Sequence, residues 1–210
     1  VFLDMATVLR SHALWLAHEP GGVRADLRSR HLAGADLAGA DLREAALSGA
    51  DLRQASLAGA RLERAELRYI DLSGSDLRQA CLAGANLRGG CLRGADLAKA
   101  SFTRADLAQV DLEGARMSWF DPDLVGERLW QAAGECLEHR MVAAFVGRSQ
   151  SWCWDDYGVL PPRQRLWVLQ QFRRWVQPGD EAPNFIKLAS AARLDDLPSS
   201  PVAASPEAIR

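Results

Sequence analysis

Large apolar residues recur at every fifth position through the first half of the chain: Leu27, Leu32, Leu37 and onward to Leu97, then Phe102, Leu107, Leu112 and Met117. Two places before most of them sits an alanine, at Ala25, Ala35, Ala40, Ala45, Ala50, Ala55, Ala60, Ala65, Ala80, Ala85, Ala95, Ala100, Ala105 and Ala115. The residue between is often acidic or polar, as at Asp26, Asp36, Asp41, Asp51, Asp71, Asp76, Asn86, Asp96, Asp106 and Asp111. The register is unbroken over residues 25–119. An amphipathic helix needs apolar residues at i, i+3 and i+4, and a half-buried strand needs alternation, so neither element explains a step of five. The pattern predicts a path that turns after each quintet and sends the small and the large apolar residue inward every time.

Units such as Ala35-Asp36-Leu37-Ala38-Gly39 and Ala50-Asp51-Leu52-Arg53-Gln54 resemble the repeats of the pentapeptide-repeat family. The resemblance implies a mainly β fold, a right-handed quadrilateral β-helix with four quintets per coil and one per face. Coils stacked at the spacing of paired strands, about 4.8 Å, would make a rod about 23 Å long. Stability would come from stacking, since one coil cannot bury its own leucines. Gly34, Gly39, Gly49, Gly59, Gly74, Gly84, Gly94 and Gly114 suit tight corners. Arg30, Ile70, Ser75, Gly90 and Val110 replace the inward alanine. Ile70 and Val110 are expected to overfill their slots and Gly90 to leave a gap, with local bulging.

A solenoid needs covers at both ends, and the flanks read as covers. Residues 1–24 form an N-terminal helical cap, with a helix over 4–17 ended by Glu19-Pro20-Gly21-Gly22. Residues 120–196 form a helical C-terminal region. Asp121-Pro122 signals a helix over about 123–145 with Leu124, Leu129, Trp130, Ala133, Leu137 and Met141 on one side. Pro161-Pro162 opens another, to about 176, with Leu166, Leu169, Phe172 and Trp175 or Val176 inward. A short helix is expected over 184–192 and a flexible tail over 197–210. The Leu14-Trp15-Leu16 opening and the Trp152-Cys153-Trp154-Asp155-Asp156 segment resemble bacterial and phage-borne members of the family.

The formal net charge of the 210-residue chain is -2, which gives no global attraction to nucleic acid or anionic membrane. No signal peptide and no transmembrane span are read, and a cytoplasmic location is expected. Cys81, Cys91, Cys136 and Cys153 lack ligand spacing, so neither metal nor other cofactor is expected. His12, His18, His31 and His139 are dispersed. His139 near Cys136 lacks a third partner for a catalytic triad, and no phosphate-cradling loop appears. The chain therefore reads as a binding protein, with no enzymatic activity.

Sorted by face, Arg28, Arg68 and Arg88 follow the leucines of one wall; Arg53 and Arg93 lie beside Asp51, Asp71 and Asp111 on the next; Asp36, Asp76 and Asp96 line a third. These ladders read either as solvated walls or as binding stripes. Trp152 and Trp154 join them as a candidate aromatic contact, the tryptophans otherwise forming the core of the cap. The leading reading is a protein–protein interaction scaffold, with homodimerisation through the C-terminal region as a second contact. The family resemblance implies an alternative, a DNA-mimicking modulator of DNA gyrase of the quinolone-resistance or toxin-immunity type. Against it, residues 25–119 hold thirteen acidic and thirteen basic residues, whereas DNA carries one negative charge per about 1.7 Å of axis.

Overall fold

The computed structural model describes residues 4–118, 121–148 and 160–176. The chain divides into two compact units, Val1–Asp121 and Pro122–Arg210.

In the first unit, α1 spans Met5–Leu16. Asp4 caps it, its carboxylate accepting from Ala6 N at 3.2 Å and from the Thr7 hydroxyl. The return from α1 passes through Gly22, where a Cβ would lie 2.3 Å from Trp15 N, so only glycine allows the approach.

The quintets then build coils of twenty residues. Parallel bridges join Asp26 to Ala46, His31 to Asp51, Asp36 to Ser56 and Asp41 to Arg61, and continue at the same spacing to Asp96 and Arg116. Each quintet contributes one bridged residue, so four make a coil. Hydrogen bonds run both up and down: Leu47 N donates to Glu66 O at 2.8 Å, and Asp51 N to Arg30 O at 2.9 Å. Within a quintet the turn is closed locally, as where Ala50 N donates to Leu47 O at 3.0 Å. Because most of each quintet is spent on the turn, pairing consists of single bridges, and no extended strand forms among the described residues. The residue before the inward alanine takes positive φ. Where it is not glycine, as at Gln54 (φ 56) and Arg64 (φ 59), the stacked coils hold it there.

Leu27, Leu47, Leu67, Leu87 and Leu107 occupy equivalent places in successive coils, and all are buried. Ser75 is also buried, its hydroxyl donating to Leu72 O at 2.6 Å. Arg30, in the first coil, escapes its inward slot and is exposed; Leu32 and Ala35 beside it are only half-buried.

The bulging expected at Ile70, Gly90 and Val110 is absent. Bridges continue through Asp71, Cys91 and Asp111, with Cys91 N to Ile70 O at 2.8 Å and Asp111 N to Gly90 O at 2.9 Å. The oversized and undersized residues share one column and compensate. A Cβ on Gly90 would lie 3.3 Å from Ile70 Cγ2 and 2.9 Å from Leu87 O. Outside, the Tyr69 ring lies over Gly89, whose Cβ would come within 2.6 Å of Tyr69 Cε1. Gly89→Ala also forces a side chain onto φ +70. It is expected to cost about 1–2 kcal/mol. Tyr69→Ala should recover the steric part, so urea melts of the two single variants and the double will be non-additive.

Side chains stand in for the missing coils at both ends. In the second coil Ala45 N donates to Leu42 O, and Glu63 O accepts from Glu44 N. At the first coil the buried His12 ring takes both roles: Ala25 N donates to Nδ1 at 3.1 Å, and Nε2 faces Arg43 O at 3.0 Å. At the other end, Leu82 N donates to Ser101 O, but Phe102 N donates to the Asp121 carboxylate at 2.6 Å. Ala100 O accepts from the Ser118 hydroxyl at 2.7 Å, where the preceding coil uses a backbone N–H. Asp121 thus terminates the solenoid as well as preceding a helix.

In the second unit, α2 is Pro122–Ala133, α3 Leu137–Arg148 and α4 Pro162–Trp175. The single helix expected over 123–145 is therefore two. Gly134, at φ 52, takes the left-handed conformation that ends α2. The break shifts the helical phase of the residues beyond it. Leu124, Leu129 and Ala133 are buried as expected, but Trp130, Leu137 (72% exposed) and Met141 (66%) are not; Val142, Ala143 and Val146 are buried in α3. In α4, Trp167, Val168, Leu169 and Phe172 are buried, while Leu166 is exposed. α2 and α3 approach closely at Gly126, where a Cβ would lie 2.5 Å from Gly147 Cα. The expected helix at 184–192 and the tail lie outside the described residues.

Candidate functional site

The outer walls of the coils are organised by a three-residue device, Asp-Leu-Arg. With the leucine inside, the residues on either side of it both point outward. The aspartate accepts from the backbone N–H two places on and from the arginine of the same triplet. Arg53 grips Asp51 with Nε to Oδ1 and Nη2 to Oδ2 both at 2.8 Å. Arg28 on Asp26, Arg43 on Asp41 and Arg78 on Asp76 repeat the two-pronged contact. These arginine hydrogen bonds hold the carboxyls of Asp41, Asp51 and Asp76 below the ordinary value of 3.8, and Asp26 at about 2. Their contribution to stability is complete above pH 3.8 and is withdrawn as the pH falls further.

A second set of ion pairs runs between coils. Arg61 reaches Asp41 at 3.4 Å, Arg64 Glu44 at 2.8 Å, Arg53 Asp71 at 3.8 Å, and Arg116 Asp96 at 3.2 Å. Arg93 contacts Asp111 at 3.3 Å and also Glu113. Arg24 crosses two coils to Glu66 at 2.7 Å.

The residues singled out from the sequence fall into these walls. Asp36, Asp76 and Asp96 share one column with Ser56, which ends at Arg116. Arg78 binds Asp76 and approaches Asp96 at 4.0 Å, so that column is interleaved with positive charge. Asp51 and Asp71 are adjacent and both served by Arg53; Arg93 lies one coil beyond Ser73 on the same wall. Arg68 and Arg88 are exposed neighbours, one coil apart. Trp152 and Trp154 lie outside the described residues.

Cys81 and Cys91 stand in different columns and are free, with the Ser73 hydroxyl 3.2 Å from Cys91 Sγ. Cys136 is free and exposed. His139 stacks on Trp167 with ring centroids 4.0 Å apart, a packing role. Among the described residues no group of three or more metal-ligating side chains gathers, and no helix is long and apolar enough to cross a membrane.

Two features escaped the sequence reading. One is the capping role of His12, Ser118 and Asp121. The other is Tyr69, 63% exposed beside Arg68, whose guanidinium lies 5.7 Å from the ring centroid. A signal was available for the second: Tyr69 is the only aromatic besides Phe102 within residues 25–118.

The profile described as pentapeptide repeats matches residues 23–57, 40–79, 55–94 and 80–118. A search of curated proteins finds no match. Among solved structures, the chain is similar to the pentapeptide repeat protein Rfr23 of the cyanobacterium Cyanothece 51142, with 36% identity over 43% of this chain and 58% of that one, at a TM-score of 0.35. It is also similar to a pentapeptide repeat protein of the Arabidopsis thaliana thylakoid lumen, with 29% identity over 43% of this chain and 63% of that one, at a TM-score of 0.33. A third is QnrB1, a plasmid-mediated fluoroquinolone resistance protein, with 22% identity over 44% of this chain and 62% of that one, at a TM-score of 0.27. The chain spans less than two thirds of the length of each.

Proposed function

Since the quintets over residues 23–118 make this chain a member of the pentapeptide-repeat family, we propose that it is a non-catalytic protein–protein interaction scaffold built on the family's right-handed quadrilateral β-helix. The observation that carries this reading is the exterior of the coils. Side chains there are held at a fixed pitch by backbone bridges every twenty residues and by the Asp-Leu-Arg contacts. A partner meeting such a wall finds its contacts already ordered, so little conformational entropy is lost on binding. Homodimerisation through the second unit is the accompanying reading, supported by Leu137 and Met141, exposed one turn apart on α3. Light scattering tests it, and a strictly monomeric mass would remove it.

The rival, a gyrase modulator that imitates duplex DNA, draws on the column of Asp36, Asp76 and Asp96. Arg78, paired with carboxylates of that column, and Arg116 at its end oppose it, because a DNA strand has no interleaved cations. A gyrase supercoiling assay decides between the two. The scaffold reading expects unchanged supercoiling at micromolar protein, and inhibition or protection from quinolone would put the mimic in its place. For the scaffold itself, affinity capture with the full chain from its host should return a saturable partner. Failure to retain any protein would count against it.

A further inference from the structure

Almost every arginine on the coils is tied to a carboxylate, and the exceptions lie together. Among the described residues, Arg30, Arg68 and Arg88 have no carboxylate within ion-pair distance. All three are exposed, and they lie along one corner of the solenoid. The reason is local. In the triplets ending at Arg68 and Arg88 the aspartate is replaced by Glu66 and Asn86. Glu66 is taken by Arg24, and Asn86 carries no charge, accepting only from Arg88 N at 3.2 Å. Arg30 occupies an inward slot at the open first coil and turns outward instead. Between Arg30 and Arg68 the corner is small-chained, with Ser48 and Gly49. Beside Arg68 stands Tyr69, its ring supported from behind by Gly89.

We propose that this corner, Arg30–Arg68–Tyr69–Arg88, binds an acidic α-helix of a partner protein, lying along the solenoid axis. The inference rests on the scaffold reading and names the chemistry of its partner. Coil spacing of about 4.8 Å puts Arg68 and Arg88 one step apart and Arg30 two steps, about 10 Å, below Arg68. On a helix, residues i and i+4 are about 5–6 Å apart, and seven residues rise about 10.5 Å. Carboxylates at i, i+7 and i+11 share one face and match the three guanidiniums in order. Arginine forks pair carboxylates in two-pronged fashion, and an exposed tyrosine flanked by arginines has the composition of an interface hot spot. A nucleic acid fits less well. Three phosphate contacts supply little of the affinity that nucleic-acid binders draw from many.

The test uses the full chain and a fluorescent, alanine-based helical peptide with glutamates at i, i+7 and i+11. Comparison probes are the same peptide with glutamines and a single-stranded oligothymidylate of similar length. The expected result is saturable binding of the glutamate peptide, at least about tenfold weaker for the glutamine peptide and for R68E/R88E, and unchanged for R64E on another wall. Circular dichroism and urea melts establish that R68E/R88E is folded. Equal binding of both peptides, binding indifferent to R68E/R88E, or preference for the oligonucleotide would each overturn the proposal. Capture from host extract with wild type and R68E/R88E separates the two levels. A partner retained equally by both removes this corner but leaves the scaffold standing, whereas no partner for either removes both.

Discussion

Leu67→Ala is expected to destabilise the first unit by about 3 kcal/mol, read as a lower urea midpoint with the far-ultraviolet signal of the coils as probe. Leu67 lies in the middle of a column, with Leu47 one coil below and Leu87 one coil above, all of them buried. Neither neighbour can move into the space, because each is fixed by its own bridges and its own turn. The cavity therefore remains, and its cost adds to the lost burial. Arg53→Ala, on the wall and removed from the core, is expected to lower the midpoint far less despite losing its contacts to Asp51 and Asp71, because an exposed ion pair is screened by solvent. Equal costs for the two substitutions would mean that the leucines do not pack in a column. Because each coil rests on the next, the loss at Leu67 should be felt throughout the stack.

His12→Ala is expected to cost about 2–4 kcal/mol, because it strips an acceptor from Ala25 N and a donor from Arg43 O where the backbone has no other coil to pair with. The same geometry sets a pH dependence. Nδ1 accepts, so the ring is neutral with its proton on Nε2, and protonation would turn Nδ1 toward the Ala25 N–H as a second donor. Burial lowers the His12 pKa below its ordinary 6.5; Arg24 and Arg43 act in the same direction, and Asp41 and the bond to Arg43 O act against it. The unfolded chain therefore binds this proton before the folded one does. The stability contributed by His12 is complete above pH 6.5 and is lost progressively as the pH falls from there through the lowered pKa of the folded state. Melting between pH 7.5 and 5 should show a falling midpoint in wild type and a flatter one in His12→Ala. Parallel curves would mean that the ring does not cap the coil in its neutral form.

Much of the solenoid could be read directly from the residues. Each quintet makes its own turn and sends its leucine inward, so a five-residue period carries both register and core, and Leu47, Leu67 and Leu87 could be assigned to one column before any coordinate was known. The Ile70, Gly90 and Val110 substitutions were individually legible but misjudged. They are twenty residues apart, and compensation between coils shows only when their side chains are set against one another. The walls were half legible for a similar reason. Asp51 and Arg53 are near neighbours in the chain, whereas the ion pair that occupies Glu66 comes from Arg24, forty-two residues away.

What the amino-acid sequence determined alone was the periodic part, because its interactions repeat at fixed short intervals and every repeat states the same rule. What only the tertiary structure decided lies where that rule ends. His12 reaches Arg43 across thirty-one residues, Asp121 reaches Phe102 across nineteen, and Arg68 and Arg88 keep their charges unmatched because their carboxylate is elsewhere engaged or missing. These are features of distant residues with no period to announce them, and they set how the stack is closed and which corner of it keeps its arginines unpaired.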